Sequence, residues 1–173
     1  VPYDHNDDFT AAALKPIWQW NHVPVDDRWS LTERQGFLRL HTMPAQSFWE
    51  ARNTLTQRAI GPQSSPIVQL NVAGLQVGDV AGLALSNKPY AWIGVERGDN
   101  GFALAQFNEH TGKTERAAFT GQRVVSGRHG AGAWHRLFRS THYAGTRPRG
   151  GLGDHAVVPF GHRAAIPGRR HQP

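Results

Sequence analysis

Along the first two-thirds of the chain, clusters of Gly, Pro, Asn and Asp recur at intervals of roughly ten residues, and apolar and polar residues alternate between them. That period of two constrains the fold more than any other feature. Successive side chains of a strand point to opposite faces, whereas a helix repeats every 3.6 residues. Ile67 to Val72 puts Val68, Leu70 and Val72 on one face and Gln69 and Asn71 on the other. Val80 to Leu85 gathers Ala81, Leu83 and Leu85, and Tyr90 to Glu96 and Phe102 to Asn108 continue the series. Phe37 to His41 reads as a short strand with Phe37 or Leu38 inward, and Ala51 to Ile60 as its neighbour. Turn signals lie at Gly61-Pro62, Gly78-Asp79, Asn87-Lys88-Pro89, Asp99-Asn100-Gly101 and Thr111-Gly112. Asp99-Asn100-Gly101, between two alternating runs, is the clearest hairpin signal. The pattern predicts an all-β antiparallel sandwich or barrel, with no helix beyond a turn near Ala11 to Leu14.

At 173 residues with six Trp and eight Phe, the chain has material for one domain core. It has no Cys, which excludes a disulfide scaffold and a thiolate metal site. No apolar run reaches the ~18 residues a membrane helix needs. No charged-then-apolar leader follows Val1, so any export signal is expected upstream or not at all. The net charge of +6 is unevenly placed: residues 1–120 carry ten basic and twelve acidic side chains, residues 121–173 nine Arg and one Asp. A nucleic-acid reading drawn from overall charge therefore rests on the tail alone.

Ala51 to Arg58 carries long polar groups on both of its expected faces, Arg52 and Arg58 on one, Asn53 and Gln57 on the other. Planar amides and guanidinium groups hydrogen-bond sugar hydroxyls, and aromatic rings stack on sugar CH faces. Arg52, Asn53, Gln57 and Arg58 are therefore the first candidates for polar contacts with a sugar; cross-strand pairing on a wet face is the alternative. Trp18 and Trp20 flank Gln19 and would share one side of an extended segment, as a stacking pair or as core anchors. His22 follows with Asn21, in a buried turn or a cleft. Tyr90 and Trp92, two apart on one strand, form a second platform or part of the core.

His22 has no second ligand at useful spacing, so no metal site is expected there. Asp7 and Asp8 are weak candidates for a structural Ca²⁺, because a hard cation needs clustered oxygens. Glycosidic chemistry needs two carboxyl groups roughly 5–10 Å apart across a bond. Asp26 and Asp27 sit in a turn context and do not meet that need. Glu33 and Glu50 are expected to pair with Arg34, Arg52 or Arg58. Neither a Ser/His/Asp arrangement nor a P-loop is present, and no catalytic residue is assigned.

The order of several motifs is more specific than any one of them. Asp8-Phe9 is followed by Leu14-Lys15-Pro16-Ile17-Trp18-Gln19-Trp20-Asn21-His22. Trp29-Ser30-Leu31-Thr32-Glu33-Arg34 and Gly36-Phe37-Leu38-Arg39-Leu40 come next. Ala51-Arg52-Asn53-Thr54-Leu55-Thr56-Gln57-Arg58 and Gly78-Asp79-Val80-Ala81-Gly82-Leu83-Ala84 complete the series. Over about residues 8–123 it resembles the C-terminal β-sandwich attached to many glycoside hydrolase family 43 enzymes, the β-xylosidase and α-L-arabinofuranosidase group.

The resemblance implies a concanavalin-A-like jelly roll of two antiparallel sheets, packed against a separate five-bladed propeller. In that family the propeller carries an Asp base, an orienting Asp and a Glu acid, and inverts the anomeric carbon. None of it is in this sequence. The implied role is that of a non-catalytic domain that braces the propeller and helps shape a site for xylan or arabinoxylan. An autonomous xylan-binding module is the alternative. The loop Thr42 to Trp49 matches one that reaches toward the propeller in some members, so Phe48 or Trp49 would touch substrate or propeller. The loop is shorter here than in typical β-xylosidases. The other candidates, from Trp18 to Trp92, then become contacts to sugar or propeller alike. No cofactor is implied beyond a structural Ca²⁺, and the parent enzyme would be bacterial and exported.

After about Val124 the resemblance stops. The family continues with strands that complete both sheets, including a Ser-x-Asp-Gly-x-x-Phe segment. Residues 121–173 instead hold ten Gly, nine Arg and six His, and alternation is lost. A genuine cationic tail and a shifted reading frame in a GC-rich gene would both give this composition. Reading one nucleotide late through Phe160 to Pro167 permits three of the four fixed positions of the missing motif, which favours the shift. The expectation is a sandwich over 1–124, lacking its closing strands, and an irregular basic tail over 125–173. Nucleic-acid binding by that tail is disfavoured, since no aromatic interleaving of the usual stacking kind accompanies its Arg.

Overall fold

The computed structural model describes residues 6–58, 66–86, 88–127 and 156–161. Among them are eleven strands: β1 (Gln19–Trp20), β2 (Trp29–Ser30), β3 (Arg39–Leu40), β4 (Leu55–Thr56), β5 (Ile67–Asn71), β6 (Asp79–Leu85), β7 (Ala91–Gly98), β8 (Gly101–Asn108), β9 (Lys113–Phe119), β10 (Arg123–Gly127) and β11 (Ala156–Gly161). The described residues contain no α-helix, only 3-10 turns at Asp26–Arg28 and Phe48–Glu50. Seven strands form one sheet in the order β1-β4-β11-β6-β7-β8-β9; β10 pairs with β5, and β2 with β3. All pairings are antiparallel. The expected all-β antiparallel sandwich is what the chain forms.

The long strands lie where alternation is cleanest. The Asp99-Asn100 hairpin is present, with Gly98 opposite Gly101. Gly101 takes φ 125, a conformation that side chains resist.

Cross-strand partners share a face, which places the two halves of the core. Ala81 pairs with Val95 and Val80 with Glu96, so Val80 and Val95 point to opposite sides of the large sheet. Val95 and Leu104 pack with Leu70 and Val72 of the smaller sheet. Val80 and Ala84 pack on the other side with Phe48 and Ala51, from the second 3-10 turn. The large sheet is thus covered on both faces. That explains why β6 is buried or half-buried throughout rather than alternating, as the sequence predicts.

At the centre of this sheet Gly82 stands directly opposite Gly94. A Cβ on Gly82 would lie 2.7 Å from the Gly94 Cα and closer still to the Ile93 carbonyl oxygen. A Cβ on Gly94 would meet Gly82 and Ala81 in the same way. The backbones of β6 and β7 approach so closely here that neither position accepts a side chain.

Several expectations are corrected. Among the described residues of the strand expected over Ala51 to Ile60, only Leu55–Thr56 is extended into a strand, and Asn53 with φ 56 turns the chain before it. Arg52, Thr54, Thr56 and Arg58 therefore do not form one strand face: Arg52 is exposed while Thr54 is fully buried. β4 pairs with β1 and β11, not with the Phe37–His41 segment, which contributes only Arg39–Leu40 and pairs with β2. β9 was not foreseen, since Lys113 to Phe119 lacks an apolar alternation.

The largest difference lies in the tail. β10 runs across the boundary expected at Val124. β11 comes from the segment expected to be irregular, yet it lies between β4 and β6. Its Pro159 has no N–H to give, and β4 pairs with β11 only at Val157, so no ladder bond on that side is lost. Residues 128–155 and 162–173 lie outside the described residues, and with them the rest of the expectation for the tail.

Gly82→Ala and Gly94→Ala are each expected to destabilise the domain by about 3 kcal/mol or more, through forced separation of β6 and β7. Gly74→Ala, where the added Cβ meets nothing within 4 Å, is the control and should stay within about 0.5 kcal/mol. Denaturant unfolding of the three variants checks this.

Candidate functional site

The turn that replaces the expected strand at 51–54 gathers four of the candidate residues around one loop, Asn21 to Val25. Asn53 is fully buried, and its side chain imitates a strand partner. Oδ1 accepts from Val25 N at 2.8 Å, and Nδ2 donates to Val25 O at 3.0 Å. Its φ of 56 lies in the left-handed region, which Asn tolerates better than most residues. Arg52 Nη2 donates to the Val23 carbonyl at 2.6 Å. Asn21 N donates to Thr54 O at 2.9 Å. His22 Nε2 lies 2.6 Å from the Trp49 carbonyl; a carbonyl only accepts, so this nitrogen carries the proton. His22, Trp49, Arg52 and Asn53 thus form one frame. Gln57 is half-buried and Arg58 exposed beyond it.

The remaining candidates are dispersed. Trp18 Nε1 donates to Asp7 Oδ2 at 2.8 Å, and its ring stacks on Phe9 at 5.6 Å. Trp20 packs instead on Trp29, ring centroids 5.2 Å apart, so the two Trp serve different partners. Phe48 is a core residue at 1% exposure. It begins an aromatic chain: Phe48 to Tyr90 at 5.1 Å, Tyr90 to Phe107 at 5.3 Å, and Trp92 to Phe107 at 6.3 Å and 24°. Trp49 meets Tyr90 edge-on at 5.5 Å. Phe107, missed in the sequence, was legible as an apolar residue at the end of an alternating run. The indole N–H groups of Trp29 and Trp49 are buried and find no acceptor among the described residues.

Six carboxylates are engaged within the domain. Asp7 Oδ1 also accepts from Phe9 N at 2.9 Å, and Asp8 Oδ1 from Thr10 Oγ1 at 2.7 Å. Buried Asp79 accepts from Thr42 Oγ1 at 3.0 Å and Gln76 N at 2.9 Å. Glu33 bridges Arg39 and His41, the first of which replaces the expected Arg34. Glu96 pairs with Arg116, whose guanidinium is held further toward its charged form by that hydrogen bond. Glu109 accepts from Tyr90 N at 2.9 Å. Among the described residues no three His, Cys, Asp or Glu gather as a metal site would require.

Burial first, and the nearby Glu109 charge second, push the Tyr90 phenol above its ordinary value. An unfolded Tyr ionises near pH 10, so the folded state binds more protons there. Stability should fall as pH rises through about 10, and Tyr90→Phe should reduce that fall, as read by melting temperature against pH. Asn53→Ala should cost about 2–4 kcal/mol, since it leaves the Val25 N–H and carbonyl unpaired. Exposed Arg52→Ala should cost under about 1 kcal/mol in the same denaturant experiment.

Comparison with known proteins follows the same lines. The family model of the beta-xylosidase C-terminal concanavalin A-like domain matches residues 6–137. A candidate beta-xylosidase of Xylanibacter ruminicola is 43% identical over 83 residues, 48% of this chain and 15% of that protein. A beta-xylosidase of Formosa agariphila is 31% identical over 118 residues, 56% of this chain and 20% of that protein. The structure of a bifunctional GH43-CE protein of Bacteroides eggerthii superposes with a TM-score of 0.72 at 30% identity, over 90% of this chain and 23% of its own. A GH43 protein of Bacillus licheniformis shares the fold, with a TM-score of 0.67 at 21% identity, over 96% of this chain and 37% of its own. The chain therefore spans between 15% and 37% of the length of these four relatives. Motif order, antiparallel sandwich and family match agree: the chain belongs to the beta-xylosidase C-terminal concanavalin A-like domains, the sandwich of family 43 glycoside hydrolases.

Proposed function

We propose that this chain is a non-catalytic accessory domain of a xylan- or arabinoxylan-degrading family 43 enzyme, and that it braces the catalytic propeller and helps shape its substrate site. One observation carries the reading. The residues best suited by type to grip a sugar are occupied in holding the domain's own loop. Asn53 spends both ends of its amide on Val25, Arg52 reaches Val23, and His22 reaches Trp49. Asp7, Asp8, Glu33, Asp79, Glu96 and Glu109 are likewise bound to internal donors, which suits a rigid support better than a site of acid–base chemistry. The xylan assignment follows the names of the related proteins, two of them beta-xylosidases. A further GH43 glycoside hydrolase, 34% identical with a TM-score of 0.56, displays endo-xylanase and exo-arabinofuranosidase activity after engineering of its active site.

The rival reading, an autonomous xylan-binding module, has one observation in its favour. The Trp92 and Phe107 rings lie 24° from parallel on the sheet, an arrangement on which a sugar could stack. Affinity electrophoresis on xylan separates the two. Bracing predicts no retardation of the wild-type chain; retardation lost in Trp92→Ala or Arg52→Ala would establish the rival. Bracing also predicts no turnover of aryl-xylosides by the purified chain, and measurable turnover would end it.

A further inference from the structure

We infer that the Val23-Pro24 tip is where this domain seats against the catalytic domain of its enzyme, its occupant being an apolar depression on that domain; the inference rests on the accessory reading above. Val23 is 79% exposed, the most exposed of the large apolar side chains of the described residues. A single exposed Val needs no explanation in itself. What calls for one is the way the loop beneath it is held.

Surface loops are ordinarily the least constrained part of a domain. This one is tied at both ends and in the middle. Asn21 N bonds to Thr54 O, His22 Nε2 to Trp49 O, the Val23 carbonyl to Arg52, and both polar groups of the Val25 backbone to Asn53. To make the last two bonds, Asn53 is buried completely and set in the left-handed region. Burial of an amide and a strained backbone are costs, and they persist only where the surroundings fix them. Here they fix the shape of an exposed apolar tip. A preshaped tip loses little conformational freedom when it is covered, which is what a docking element needs. Ile67, in a strand paired with β10, and Val77, in the turn tied by Asp79, are less exposed, at 58% and 59%.

The catalytic domain is favoured as the occupant over a second copy of this chain. Relatives 31% and 43% identical to it devote 80% or more of their length to other segments, so a neighbouring surface on the same polypeptide is available at high effective concentration.

The test uses the full-length enzyme that carries this domain, followed by calorimetry. The wild type is expected to unfold in one coupled transition. Val23→Arg is expected to split it in two, with near-UV circular dichroism at room temperature retained; Val77→Arg, the same change at another exposed Val, is expected to keep one. A single transition in Val23→Arg overturns the inference, as does splitting by both variants, while leaving the bracing reading intact. Two transitions in the wild type would instead overturn bracing itself. Concentration-dependent dimerisation that Val23→Arg abolishes would replace the catalytic domain by a second copy and likewise overturn the inference.

Discussion

The backbones of β6 and β7 meet at Gly82 and Gly94 with no room for a Cβ on either. The two strands sit at the middle of the seven-stranded sheet, so their spacing sets the platform on which everything else is laid. Val80 and Ala84 flank Gly82 on one face and receive Phe48 and Ala51. Val95, one step from Gly94, faces the other way and receives Leu70 and Val72. A wider separation of the strands would disturb both halves of the core at once, because protein interiors are packed without slack. The glycines are therefore a condition of the double-sided core rather than a local convenience.

Much of this fold was legible in the sequence. β5, β6, β7 and β8 fall where alternation and turn residues put them, and the motif order identified the family. The failures have physical causes. Ala51 to Arg58 alternates as a strand does, but alternation records which residues are polar and not the backbone angle of any one of them. Asn53 can enter the left-handed region and satisfy a neighbouring backbone, so a side chain took the part of a strand partner. β9 carries Lys113, Glu115 and Arg116 along the border of the sheet, where burial imposes no pattern. β11 was hidden by the Gly, Arg and His around it, and its Pro159 also argues against a central strand unless the neighbouring strand is as short as β4.

The sequence marks His22, Arg52 and Asn53 as polar groups able to hydrogen-bond, and each of them bonds to the backbone of this chain. Planar amides and guanidinium groups recognise any carbonyl and N–H, whether of a sugar, a substrate peptide or the chain itself. Sequence supplies the chemistry of the donor but not its address. His22, Trp49, Arg52 and Asn53 converge because a turn brings Arg52 and Asn53 under a loop that lies 28 positions earlier in the chain. Trp18 and Trp20, adjacent but for one residue, separate to Asp7 and to Trp29. Local spacing held no information on either outcome.

β9 closes one margin of the large sheet among the described residues, and its outer N–H and carbonyl groups face no further strand there. Such a margin is a template on which a sister molecule can grow, turning a discrete domain into a ribbon. Along it Lys113, Glu115 and Arg116 are all exposed, and antiparallel self-pairing centred on Arg116 would set two guanidinium groups side by side. The charges thus guard solubility without contributing to the core. A lineage that exchanged them for Val or Thr would keep its fold and lose its independence from its neighbours.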